Sequence, residues 1–190
     1  MSPTERVIAM GVVWVFWVMP FFINKAHGQG TAVKIDPRAR FGIILTGCGF
    51  FFANFHRPVH LHTAWSSPVE TWRAVAGGIL GLAAIAISWM AVSRLGKQWR
   101  VDAGLNADHQ LVQTGAYRLV RHPIYLSILL MLGMNLMFTG TLPGWPISIV
   151  LALAGTEVRV RVEDALLQTR FGGEFTAWQK RVPAYLPFIR

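Results

Sequence analysis

Between Arg73 and Arg94 runs an apolar stretch, residues 74–93, that no charged side chain interrupts. A helix needs about 20 residues to cross the hydrocarbon core of a bilayer, and this stretch has that length. Four more apolar segments accompany it, at 7–23, 41–55, 124–139 and 145–155. The second lies between Arg40 and Arg57. The last two are separated by the breaker GTLPG at 140–144, so they predict a tight helical hairpin, with the missing length supplied by 117–120 and 156–162. Segment 7–23, behind Arg6, is long for the apolar part of a signal peptide and reads as a first transmembrane helix. The chain of 190 residues is 53% hydrophobic and 14% charged, with a mean hydropathy of +0.42. An ordinary soluble domain is far more polar. The expectation is an all-α integral membrane protein of about five transmembrane helices, forming one domain over 1–190.

Charge sets the orientation. Five spans put the loop at 24–40, the loop at 94–123 and the tail from 156 on one side. Fifteen of the 18 lysines and arginines fall there, leaving Arg6, Arg57 and Arg73 opposite. Basic residues accumulate on the cytoplasmic side of membrane proteins, so the N-terminus is expected outside and the C-terminus in the cytoplasm. Four or six spans would spoil this asymmetry. The net charge of +9 then belongs to a bilayer edge, and no nucleic-acid partner is expected. Cys48 is alone inside an apolar run, which excludes an intrachain disulfide and a cysteine metal cluster. His56, His60 and His62 face outward on this topology. With Trp65 and Trp72 they read as an interfacial belt, and no metal site is expected.

The chain therefore divides into a three-span scaffold, 1–93, and a half with two long cytoplasmic polar segments, 94–190. Any chemistry is expected in the second half. Arg118, Arg121 and His122 stand at the mouth of a membrane helix. Pro123 fits that helix's first turn, where a missing N–H costs nothing. The arginines suit interfacial snorkelling or the holding of a polar cofactor, and His122 suits helix entry or the same cofactor. In TEVRVRVED, valines at 158, 160 and 162 alternate with Arg159 and Arg161 as in a strand. The stretch continues a membrane helix without glycine or proline, so helix is predicted. Glu157 with Arg161, and Arg159 with Glu163, are then i,i+4 pairs. Gly77 and Gly81 predict close helix packing, and no glycine-rich dinucleotide fingerprint follows a strand.

LVQTGAYRLVRHPIY at 111–125, followed by RVRVEDALLQTRFGGEFTAWQKRVPAYLPFI, resembles the isoprenylcysteine carboxyl methyltransferase family, to which the phospholipid N-methyltransferases are related. The resemblance covers roughly 94–190; the first half matches in hydropathy only. It implies an integral membrane enzyme that uses S-adenosylmethionine in a pocket open to the cytosol, with a lipid-bearing substrate arriving from the bilayer. It implies that His109, Gln110, Leu111 and Val112 line the cofactor, with Tyr117, His122, Pro123, Ile124, Tyr125 and Glu163. It puts Arg159 at the substrate. Asp164 departs from the second member of a usual acidic pair, and Phe175 and Trp178 stand where tyrosines are common.

The chemistry of the residues agrees with this implication. Methyl transfer from a sulfonium needs aligned reactants and exclusion of water more than acid–base work. A carboxylate acceptor is already ionised and needs only a cation, which Arg159 can supply as a bidentate fork. Glu163 can accept from the cofactor's ammonium. The expected function is methylation of the carboxylate of an isoprenylated cysteine or similar lipid-linked acid. An amine acceptor such as phosphatidylethanolamine is the first alternative, and it would need a base, for which His122 is the choice. A non-catalytic protein binding anionic lipid is the second.

Overall fold

The computed structural model describes residues 3–26, 32–55, 68–139 and 144–187. Each apolar segment becomes helix: α1 (Pro3–Ala26), α2 (Ala39–Phe55), α3 (Pro68–Leu95), α4 (Pro123–Thr139) and α5 (Trp145–Phe171). Short α6 (Gly173–Gln179) follows. In α1 and α3, the stretches Thr4–Asn24 and Thr71–Gln98 are long and apolar enough to cross a membrane; α2 and α4 are apolar but shorter. α5 is one helix of 27 residues, so the valine–arginine alternation is helical, as its continuity with the span predicts. It ends at Gly172, whose φ of 51° suits glycine and turns the chain into α6.

α1 leaves Val7, Ile8, Val12, Val15, Phe16 and Met19 exposed. Their three- and four-residue spacing is one face of a helix. Such a stripe is a liability in water and is solvated in a bilayer. Pro20 lies inside α1 and cannot donate to the carbonyl four residues back. That carbonyl, of Phe16, accepts instead from Trp89 Nε1 of α3 at 2.9 Å. A neighbouring helix thus satisfies the backbone group that proline frees, as a lipid environment requires.

α4 touches α1, α2, α3 and α5. It packs most extensively on α3, and α5 on α2, rather than on each other. The expected hairpin therefore works as two strands of separate helix pairs, and its breaker at 140–143 lies outside the described residues. Glycine admits both pairings. A Cβ on Gly77 would stand 2.6 Å from Phe138, and one on Gly81 would stand 3.0 Å from Met134 Sδ, as their spacing predicts. A Cβ on Gly49 of α2 would stand 2.8 Å from the Ser148 carbonyl of α5.

The all-α expectation is corrected by a two-stranded antiparallel sheet, β1 (Ala32–Ile35) with β2 (Gly104–Asn106). Asp36 N–H extends the pairing to the Ala103 carbonyl at 3.1 Å. Gly104 and Asn106 are poor strand formers, so the pairing is a tertiary event with no local signature. The C-terminal tail also forms a strap. The N–H groups of Arg121 and His122 donate to the carbonyls of Pro183 (2.8 Å) and Ala184 (2.7 Å). The histidine belt expected at His56, His60 and His62 lies outside the described residues; Trp72 is half exposed on α3.

Candidate active site

One cavity of about 610 Å³ lies among α1, α2, the segment after α3, the start of α4 and the inward face of α5. Every residue expected at the site borders it. His109, Gln110, Leu111 and Val112 come from the loop after β2, and Tyr117 from a 3₁₀ turn at Gly115–Arg118. His122, Pro123, Ile124 and Tyr125 come from the start of α4, and Arg159 and Glu163 from α5. Pro123 opens α4 as expected, with the His122 carbonyl accepting from Tyr125 N–H at 3.1 Å.

The two polar segments interlock at Tyr125. Its hydroxyl donates to Glu163 Oε1 and accepts from Arg159 Nε at 2.7 Å. Arg159 Nη2 donates to the Val101 carbonyl at 2.9 Å and to Glu163 Oε1 at 3.1 Å. These bonds use Nε and both hydrogens of Nη2, so of the bidentate fork expected for a substrate only Nη1 is left to offer. Nη1 has no hydrogen-bond partner among the described residues and keeps both of its hydrogens. Glu157 and Arg161 pair at 2.8 Å on the other side of α5, as their spacing predicts.

His122 sits between two carboxylates. Nε2 lies 2.8 Å from Asp164 Oδ1 and Nδ1 lies 3.5 Å from Glu163 Oε2. Burial by itself would lower the His122 pKa. The hydrogen bonds to Asp164 and Glu163 outweigh it and hold the imidazole above its ordinary value. Burial would likewise raise Asp164, but its bonds to His122 and Arg121 hold it below the usual carboxylate range. Arg121, His122 and Arg159 thus face Glu163 and Asp164.

This arrangement fixes a pH dependence. A histidine with a raised folded pKa contributes stability fully below its unfolded value, about 6.5, and loses it as pH rises through the folded value. Asp164, with a lowered folded pKa, contributes above its unfolded value and loses that contribution as pH falls through the folded one. The unfolding midpoint in detergent is expected to be highest at about pH 5 to 6.5 and to fall on the alkaline side. In His122→Gln the alkaline limb should flatten; a limb that persists there rules out the histidine as its source.

Arg121 borders the cavity. Its two terminal nitrogens bond to Asp164 (2.9 Å) and to the carbonyls of Val182 (2.6 Å) and Gln179 (3.3 Å), and Nε is buried without a partner among the described residues. It anchors the tail. Arg118 is exposed. Asp164 was read only as a departure from an acidic pair, and the structure makes it the partner of both Arg121 and His122. Its place next to Glu163 on one helix was the available signal. The aromatic wall was also missed. Trp17 and Phe21 of α1, Phe50 of α2 and Trp99 border the cavity. Trp17 Nε1 donates across to Ser127 of α4 at 3.1 Å. The loop bearing His109 is pinned by Arg170 Nη2 to the Ala107 carbonyl at 2.8 Å. His109 Nδ1 is buried without a partner, and burial first among causes lowers its pKa, leaving a neutral ring.

Comparison with known proteins matches residues 78–169 to the isoprenylcysteine carboxyl methyltransferase (ICMT) family. The chain is 33% identical over 85 residues to protein-S-isoprenylcysteine O-methyltransferase of Schizosaccharomyces pombe, covering 44% of this chain and 36% of that protein. It is 27% identical over 126 residues to protein-S-isoprenylcysteine O-methyltransferase B of Arabidopsis thaliana, covering 66% and 61%. A longer match, 29% identical over 169 residues, joins 87% of the chain to 73% of the cobalt-zinc-cadmium resistance protein CzcN of Cupriavidus metallidurans. The matched segment, just under half of the chain, holds α4, most of α5 and every residue that meets at Tyr125, and it is here that the chain is similar to the isoprenylcysteine carboxyl methyltransferase family.

Proposed function

We propose that the protein methylates the carboxylate of an isoprenylated cysteine, or of a similar lipid-linked acid, with S-adenosylmethionine as donor. Five crossings by α1 to α5, with the cavity's polar end toward the cytoplasm, are part of this reading and are supported by the distribution of basic residues. The observation that carries it is Arg159 on the cavity wall, held by Tyr125, Val101 and Glu163 with Nη1 left without a partner among the described residues, which suits one incoming anion.

The cavity also suits the donor. Glu163 offers a carboxylate to an ammonium group. Leu111, Val112 and Tyr117 offer apolar and aromatic surface to a purine, and His109 Nδ1 is a buried polar atom still without a partner. When bound, S-adenosylmethionine supplies an electrophilic methyl on a positively charged sulfur. Arg159 holds the acceptor carboxylate in line with it, and the aromatic wall of Trp17, Phe21 and Phe50 excludes water and takes the lipid chain. The acceptor carboxylate is already ionised when it receives the donor's methyl. No proton moves, so no base is needed. An amine acceptor would need one, and both ring nitrogens of His122 already face carboxylates, Asp164 at 2.8 Å and Glu163 at 3.5 Å.

The test is incubation with methyl-labelled S-adenosylmethionine and either a farnesylated cysteine analogue or phosphatidylethanolamine. Label should enter the farnesylated compound and be released by mild alkali, as a methyl ester is. Alkali-stable label in phosphatidylethanolamine would establish the amine reading instead. Glu163→Ala should weaken S-adenosylmethionine binding about tenfold or more, the worth of a charge-assisted hydrogen bond; unchanged affinity by titration calorimetry would refute its role.

A further inference from the structure

We infer that Gly42 of α2 is a positioning residue for Arg159, setting the direction of its guanidinium by giving its hydrocarbon stem a surface with no side chain. A Cβ at Gly42 would stand 2.5 Å from Arg159 Cγ, 2.6 Å from the Gly155 carbonyl oxygen and 3.1 Å from Arg159 Cδ. The first two approaches are closer than real Cβ atoms come, and the third is tight. The stem therefore lies directly on the backbone of α2, one turn of α5 beyond Gly155, and Gly155 itself meets the Gly42 carbonyl at a distance that admits no side chain. The head of the same arginine is fixed at three points, Tyr125, Val101 and Glu163. A side chain pinned at its head and seated at its stem has one direction left, and in that direction Nη1 is the nitrogen left over for the cavity that Gly42 and Arg159 both line.

A methyl group at 42 cannot be absorbed by swinging the arginine aside, because the swing breaks the three bonds at its head. Gly42 lies outside the family match at 78–169, so nothing in that match assigns it a role. Gly49 provides the contrast. Its Cβ would also crowd α5, 2.8 Å from the Ser148 carbonyl and 3.0 Å from Ala152 N, but it is nearly two turns away and touches no part of Arg159.

This role presupposes the methyl-transfer reading; its stability signature does not. With the farnesylated cysteine analogue as probe, Gly42→Ala should raise the acceptor KM about tenfold or more, while the Kd for S-adenosylmethionine moves less than about threefold. Gly49→Ala should leave both unchanged. Equal KM effects from the two variants, or none from Gly42→Ala, would overturn the assignment. If the wild-type protein methylates no such probe, the proposed function fails, and the inference is still read from unfolding midpoints in detergent. There the midpoint loss from Gly42→Ala should shrink when Arg159→Ala has removed the stem, leaving the part owed to the Gly155 carbonyl, whereas the loss from Gly49→Ala should not change. Equal losses in both backgrounds would overturn it. So would a Gly42→Ala protein that fails to fold with or without Arg159, since helix contact alone would then account for the glycine.

Discussion

Arg159→Ala is expected to lower kcat/KM for the farnesylated cysteine analogue by about 10²–10³-fold, the usual cost of removing one partner of a buried charge pair. The substitution removes Nη1, the nitrogen left free for an acceptor anion. It also takes away a buried cation from the cluster. Glu163 keeps two partners, the Tyr125 hydroxyl and His122, so the carboxylate proposed for the donor's ammonium remains ionised and in place. Affinity for S-adenosylmethionine should accordingly change less than about threefold. Steady-state kinetics and titration calorimetry on the same preparation measure the two effects. Loss of cofactor binding in Arg159→Ala would contradict this division of roles between neighbours on one helical face.

Arg121→Ala is expected to be the most destabilising single change near the site, by about 3–5 kcal/mol, as for other buried pairs broken by loss of one partner. The Arg121 side chain is 4% exposed and that of Asp164 13%. Truncation leaves Asp164 with His122 and a long bond from Gln179 Nε2 (3.4 Å) and strips the carbonyls of Val182 and Gln179 of a donor. The strap over 183–185 then hangs on its backbone bonds and on the Tyr185 hydroxyl, which donates to Glu157 Oε2 at 3.1 Å. Thermal unfolding in detergent should show the loss, and limited trypsin digestion should cut sooner after Lys180 or Arg181. Arg121→Lys should recover little, because three acceptors in different directions need a planar fork and not a point charge. A variant that melts within about 1 kcal/mol of wild type and keeps its tail protected would show that the strap is held by other contacts.

The helices were legible because apolar runs bounded by arginine leave the backbone little choice in lipid. The meeting of His122, Tyr125, Arg159 and Glu163 was legible because two motifs carry those residues at fixed helical spacing. Three features were not. α2 reads as a greasy stretch, and a helix apolar on every side shows no inward face, so nothing marked Gly42 or Phe50 as bordering the site. Arg121 and Arg118 look alike in sequence, three positions apart beside one helix; only the fold turns one into the core and the other to solvent. The expected substrate fork on Arg159 ignored the competition from its own neighbours, Tyr125, Val101 and Glu163, which becomes visible only when α4 and α5 are brought together.

The small sheet has a consequence for biogenesis. β1 precedes α2 and β2 follows α3, so their pairing closes a loop that encloses two whole helices. During synthesis β1 must wait, unpaired, until both helices have been made and Asn106 has left the ribosome. Formation of these helices and closure of the sheet are therefore separate, ordered events, and a ribosome stalled before residue 104 holds the helices with the sheet still open.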